Sequence, residues 1–215
     1  MKRTITISRQ MGCGGSYLGQ LVAKSLGIKY VDREVLQLAA KEFGCDEETV
    51  AARAERVSGF WERILSGLSF GPPEAAYTPP PLANFSDREL FEKLSEILKK
   101  IAGKTDCVVV GLAGVYVLPR HTGMFTVFCH APLNFRIKRV MKLYGAETKE
   151  DARAMIAESD EARKRYVDEM TGRDWACAEN YHLAIDTSLL PLSDWAATLV
   201  ELYKRKCETK QSRAD

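Results

Sequence analysis

The chain has 215 residues, 46% of them hydrophobic and 28% charged, with a formal net charge of +2 and a pI near 8.2. That length buries one core at the upper end of single-domain size, and the mild charge excludes the strong one-sided basic excess of a nucleic-acid binder. No stretch approaches the roughly 18 apolar residues of a membrane span, and the first twenty residues hold no signal-type apolar run. A soluble, cytoplasmic protein with no membrane partner is therefore expected. The six cysteines lack the short spacings of zinc or redox motifs, so reduced structural thiols are expected.

In chain order, Thr4 to Ser8 is short and β-branched and reads as a strand. Leu18, Leu21, Val22 and Leu26 then recur at helical spacing, with Gly27 as the stop. A brief strand over 29–31 follows, then helices over 36–43 and 46–57, the second with Asp46 as N-cap. Prolines 72, 73, 79, 80 and 81 make the stretch 66–85 a long loop. Ser86 with Glu89 forms a capping box, and Leu90, Leu94, Ile97, Leu98 and Ile101 line one face of the next helix. Strands over 108–110 and 125–129 are followed by a helix from about Pro132 to Tyr144. The stretch 148–170 is so polar that it is expected to project from the body. A last strand over 183–185 and a last helix over 195–203 complete an alternation that implies a parallel sheet with helices on both faces.

The residues that promise chemistry are Gly12, Cys13, Gly14, Gly15 and Ser16, between the first strand and the first helix. A phosphate loop reads G-x-x-x-x-G-K-[ST], with backbone amides and a helix N-terminus facing the anion. Laid on this chain, Gly14 takes the second glycine and Ser16 the metal-binding hydroxyl, while Arg9 replaces the first glycine and Gly15 the lysine. The strand–turn–helix context fits although the pattern does not. Spacing alone leaves two readings open, an anion cradle and a plain turn that packs strand against helix.

Ile5-Thr6-Ile7-Ser8-Arg9-Gln10 with the glycines that follow resembles the opening of the cytidylate kinase-like family. The likeness continues through Tyr30-Val31-Asp32-Arg33-Glu34, Val108 to Gly111, His130-Ala131-Pro132-Leu133, Asp160-x-x-Arg163 and Thr171-Gly172-Arg173-Asp174-Trp175. The resemblance implies a three-layer P-loop fold over 1–215 with a five-stranded parallel sheet, a helical acceptor region at 33–105, and a helical lid at 145–176. It further implies that Gly12 to Tyr17 hold the phosphates of ATP, that Ser16 meets Mg2+, and that Asp32 and Arg33 begin the acceptor site. Arg163 and Arg173 would reach the transferring phosphoryl group from the lid. Arg9 flanks the loop, and two readings stay open for it: a stand-in for the missing lysine, and a salt bridge to a carboxylate at the end of the sheet.

Leu112 stands where relatives carry arginine directed at the acceptor nucleotide. Three functions are therefore weighed. They are a kinase for a nucleoside monophosphate, a kinase for a small non-nucleotide acceptor, and a nucleotide-binding module with reduced catalysis. His121, His130 and His182 have no metal-ligand spacing, and Cys13 is assigned to packing.

Overall fold

The computed structural model describes residues 2–32, 35, 38, 86–121 and 123–211. The proline-rich loop, Arg33 and nearly all of the helices expected over 36–57 lie outside these residues. The described elements are β1 (Thr4–Arg9), α1 (Gly15–Leu26), β2 (Lys29–Val31), α2 (Asp87–Lys104), β3 (Cys107–Val110) and α3 (Gly114–Val117). They continue with β4 (Met124–His130), α4 (Leu133–Tyr144), α5 (Lys149–Thr171), a 3-10 turn at Ala178–Asn180, β5 (Leu183–Asp186) and α6 (Leu192–Gln211).

The five strands form one parallel sheet in the order β2-β3-β1-β4-β5. β1 lies at its centre, with Ile5 level with Val108 on one side and Phe125 on the other. Every residue of β1 is buried, which is why the strand reads as a continuous β-branched run rather than an alternating one. One face is covered by α1 and α6, whose Leu18, Val22, Leu199 and Tyr203 close over Ile5, Ile7 and Val127. On the other, Leu90, Leu94 and Leu98 of α2 meet Val109 and Met124. Trp175 and Tyr181 pack on Phe128, with ring centroids 5.4 and 5.1 Å away.

The expected Ser86–Glu89 capping box is present at the start of α2. The stretch 148–170, expected to project, instead forms α5 and packs against α4. Its inner stripe, Ala152, Met155, Ile156, Ser159, Ala162 and Val167, is buried. Half of that stripe is small, so it fits closely against Ile137 and Val140 while contributing little apolar signal to the sequence. A second capping box, Thr148 with Asp151, starts the helix.

Candidate functional site

β1 and β3 are neighbours, and the chain leaves each at the carboxyl edge of the sheet, where open α/β folds place their ligands. After β1, Gly12 and Gly14 adopt φ of 78° and 88°. Gly14 is the N-cap of α1 and offers no side chain to it, and among the described hydrogen bonds none uses the amides of Gly14, Ser16 or Tyr17. Gly14 and Ser16 are half-buried and Tyr17 is exposed. The helix therefore presents uncommitted N–H groups, and the positive end of its dipole, at an accessible position.

Neighbouring segments fix the turn tightly. The hydroxyl of Thr187, just after β5, donates to the carbonyl of Cys13 at 2.7 Å. The Met11 amide donates to Asp160 Oδ1 at 2.7 Å, and the Met11 carbonyl accepts from Arg136 at 3.3 Å. A Cβ on Gly12 would lie 2.9 Å from the Arg136 carbonyl oxygen, and one on Gly14 would lie 2.7 Å from Leu192. The glycines are thus required by the protein's own packing as well as by their dihedral angles.

Arg9 ends β1 and is 7% exposed. Its Nε–H donates to Ser16 Oγ at 3.3 Å. A Cβ on Gly15 would sit 2.6 Å from Arg9 Cβ, and one on Gly111 would collide with Arg9 Nη1. The arginine therefore crosses from β1 over the start of α1 toward the turn after β3. Two other expected cations are placed very differently. Arg163 lies within the same electrostatic environment, whereas Arg173 lines an open groove of about 1050 Å³ with Phe91, Tyr116 and Asn180. None of the described hydrogen bonds or ion pairs joins Arg173 to the loop.

Arg163 reaches the site from α5 through Asp160. That carboxylate pairs with Arg163 at 3.1 Å and with Arg136 at 2.6 Å while holding the Met11 amide. All three side chains are largely buried, so the pairs are poorly screened by solvent. Burial, and next the like charge of Arg9, push the Arg163 guanidinium down to about 10, with Asp160 opposing. The guanidinium groups of Arg9 and Arg163 thus share one buried neighbourhood near the start of α1, with the Asp160 carboxylate paired to Arg163.

Where the acceptor region was expected to begin, Asp32 Oδ2 accepts from the Tyr30 hydroxyl at 3.1 Å. Burial and then Asp32 raise the Tyr30 hydroxyl well above its ordinary value, so it remains a neutral donor. Leu112 packs against the α2 side of the core and offers no polar group. Cys13 is fully buried, and burial pushes its thiol up to about 11 despite its place before a helix. His182 accepts from the Thr126 amide at 3.0 Å and His121 from the Gly123 amide at 3.1 Å, which are structural duties. Among the described residues no cluster of three or more His, Cys, Asp or Glu is arranged to hold a metal.

Sequence reading missed three contributors. Asp160 went unrecognised as the pin of the loop. Arg136, 8% exposed, could have been found, because it lies on the same helical face as Val140, four residues on. Arg139 lies over the ring of Phe135 at 5.9 Å, with a buried Nε that has no hydrogen-bond partner among the described residues. Its Nη2 would be 3.0 Å from a Cβ on Gly14. Nothing in the sequence distinguishes it from a surface cation of α4.

No curated protein matches the sequence. Among solved structures, the chain is similar to an uncharacterized protein from Eubacterium ventriosum ATCC 27560, with 18% identity, a TM-score of 0.63, and coverage of 93% of this chain and 99% of that one. It is also similar to a gluconokinase from Sinorhizobium meliloti 1021, with 14% identity, a TM-score of 0.56, and coverage of 99% and 98%. A shikimate kinase from Bacteroides thetaiotaomicron aligns at 16% identity and a TM-score of 0.50, over 94% and 98% of the two chains. At these identities the likeness establishes the three-layer P-loop kinase fold. Together with a match to the family's pattern over residues 4–189, it completes the identification: the chain belongs to the cytidylate kinase-like family.

Proposed function

We propose that this chain is an ATP-dependent phosphotransferase acting on a nucleoside monophosphate or another small acceptor. The observation that carries the reading is the uncapped start of α1, with the amides of Gly14, Ser16 and Tyr17 uncommitted beside buried Arg9 and Arg163. Phosphoryl transfer asks a protein mainly to place donor and acceptor in line and to surround the moving group with positive charge. In this reading the amides from Gly12 to Tyr17 hold the donor phosphates, and Arg163 meets the charge that gathers on the transferred group. Asp32 and Arg33 orient the acceptor. Arg163, rather than Arg173, is the contribution of the 145–176 segment to the reacting centre.

Ser16 fits a metal as a single ligand: its hydroxyl oxygen accepts one hydrogen bond from Arg9 and retains a second lone pair. Mg2+ takes few protein ligands where phosphates and water supply the rest, and it would neutralise charge on the donor phosphates.

A thermal-shift screen of nucleoside mono-, di- and triphosphates with Mg2+ tests the reading. A bound triphosphate at a hundred times its Kd adds about 2.7 kcal/mol of apparent stability. A screen in which no triphosphate raises Tm overturns it.

The second reading, a nucleotide-binding module with reduced catalysis, draws on Gly15 in the place of the loop lysine and on Leu112, which packs into the core and offers no polar group. Binding of ATP with no phosphoryl transfer to any of a panel of nucleoside monophosphates and small alcohols would favour it.

A further inference from the structure

We propose that Arg9 is the cation that contacts the donor phosphates in place of a loop lysine, and that Gly15 is kept free of a side chain so that it can. The inference rests on the phosphate-site reading above and deepens it. The carrying observation is that one arginine is cleared at both ends by glycine. Near its base, a Cβ on Gly15 would lie 2.6 Å from Arg9 Cβ and 3.2 Å from Arg9 Cγ. At its tip, a Cβ on Gly111 would collide with Nη1 and lie 3.2 Å from Cζ. Real Cβ atoms do not approach that closely, so with the backbone in this position a lysine at 15 excludes arginine, or any residue with a Cβ, at 9.

Gly15 is the first residue of α1, whereas Gly111 lies in the turn after β3. The clearance is therefore built from two sides at the carboxyl edge of the sheet. Gly15 differs from Gly12 and Gly14 in having no left-handed φ, so backbone conformation does not explain it. Its lack of a side chain is explained by Arg9 and Cys129, whose Cβ would be 3.2 Å away. The Nε–H of Arg9 donates to Ser16 Oγ, which orients the guanidinium beside the amides that would hold the phosphates. A planar guanidinium can span two phosphate oxygens where an ammonium offers a point charge. The charge thus reaches the site from the strand instead of from the helix.

The test uses the full-length protein and inorganic tripolyphosphate, which isolates the phosphate contact from any base contact, with ATP–Mg2+ in parallel. Calorimetry is run on wild type, Arg9→Met, Arg9→Gly and the double variant Arg9→Gly/Gly15→Lys. Loss of a charge-assisted contact should weaken tripolyphosphate binding about ten- to a hundredfold in Arg9→Met and Arg9→Gly. The double variant, which moves the charge to the usual position, should regain most of that loss. Equal affinity of wild type and Arg9→Met overturns the inference and leaves the phosphate site standing. A folded double variant that binds no better than Arg9→Gly overturns the exchange of Arg9 for lysine. Failure of wild type to bind either tripolyphosphate or ATP overturns the phosphate-site reading itself. An arm independent of variant folding is the Arg9 Nε–H resonance of wild type. It should move as tripolyphosphate is added, and an unmoved resonance at saturation overturns the inference.

Discussion

The turns after β1 and β3 leave adjacent strands in left-handed conformations, and they reach that state with different residues. After β1, the positive φ angles fall on Gly12 and Gly14. After β3, Gly111 at 76° is followed by Leu112 at 54° and Ala113 at 49°, both of which carry a Cβ. A left-handed residue with a Cβ costs about 1–2 kcal/mol, so the second turn stores strain that the first avoids. The first is fixed by collisions waiting on all sides, from the Arg136 carbonyl, Leu192 and Arg9. The second is held by hydrogen bonds, with Gly111 N–H donating to Ile7 O and the carbonyls of Gly111 and Ala113 receiving the first amides of α3. Both turns are held by hydrogen bonds, and the first adds collisions around Gly12, Gly14 and Gly15, whereas in the second Gly111 is crowded by Arg9 and the next two positions carry side chains. Substitution should therefore hurt the glycines of both turns and be tolerated, or even welcomed, at Ala113.

The largest expected effect breaks the pin of the first turn. Asp160→Asn removes the charge shared by Arg136 and Arg163 and weakens the hold on the Met11 amide. Breaking such a buried pair costs about 3–5 kcal/mol, measured by urea unfolding. A loss below about 1 kcal/mol would show that the loop is held by other contacts. Gly12→Ala comes next, because its φ is 78° and its new Cβ would meet the Arg136 carbonyl oxygen at 2.9 Å. Overpacking and backbone strain together predict a loss of about 2–3 kcal/mol.

The third effect is one of pH and involves the buried thiol of the first turn. Burial raises Cys13 from 9.0 to about 11, only partly offset by the Gly15 amide. The folded state then keeps a proton that the unfolded chain releases, so this contribution is whole below pH 9 and is lost as pH rises through 11. Cys13→Ala should flatten the stability curve over that window by on the order of 2 kcal/mol. A curve parallel to wild type would remove Cys13 as a source of alkaline sensitivity. The smallest effect belongs to the second turn. Ala113→Gly relieves a left-handed alanine and should gain about 0.5–1 kcal/mol, net of added chain entropy. Destabilisation by that variant would mean that the Ala113 methyl matters more to packing than its dihedral angle does to strain.

The contrast also explains what could be read from the chain. Strands announce themselves when both faces are buried, as the Val108–Val110 run does. Glycine turns announce themselves too, so the turn after β1 was legible while the turn after β3 was not: leucine and alanine give no hint of positive φ. α5 was misjudged because Ala152, Ser159 and Ala162 bury a helix face by being small. Arg9 was visible as a cation near the loop. Its mutual exclusion with a side chain at position 15 arises only when strand and helix are superposed in space. The pairing of Asp160 with Arg136 and Met11 spans 24 and 149 residues, beyond any local pattern.

The hydrogen bond from Thr187 to the Cys13 carbonyl joins residues 174 positions apart. A ribosome adding about 5–20 residues per second needs roughly 10–35 s to make that stretch. Throughout that interval the nascent chain carries a glycine turn whose closing partner has yet to be synthesised. Closure of the turn after β1 is therefore among the last contacts the chain can complete during its synthesis.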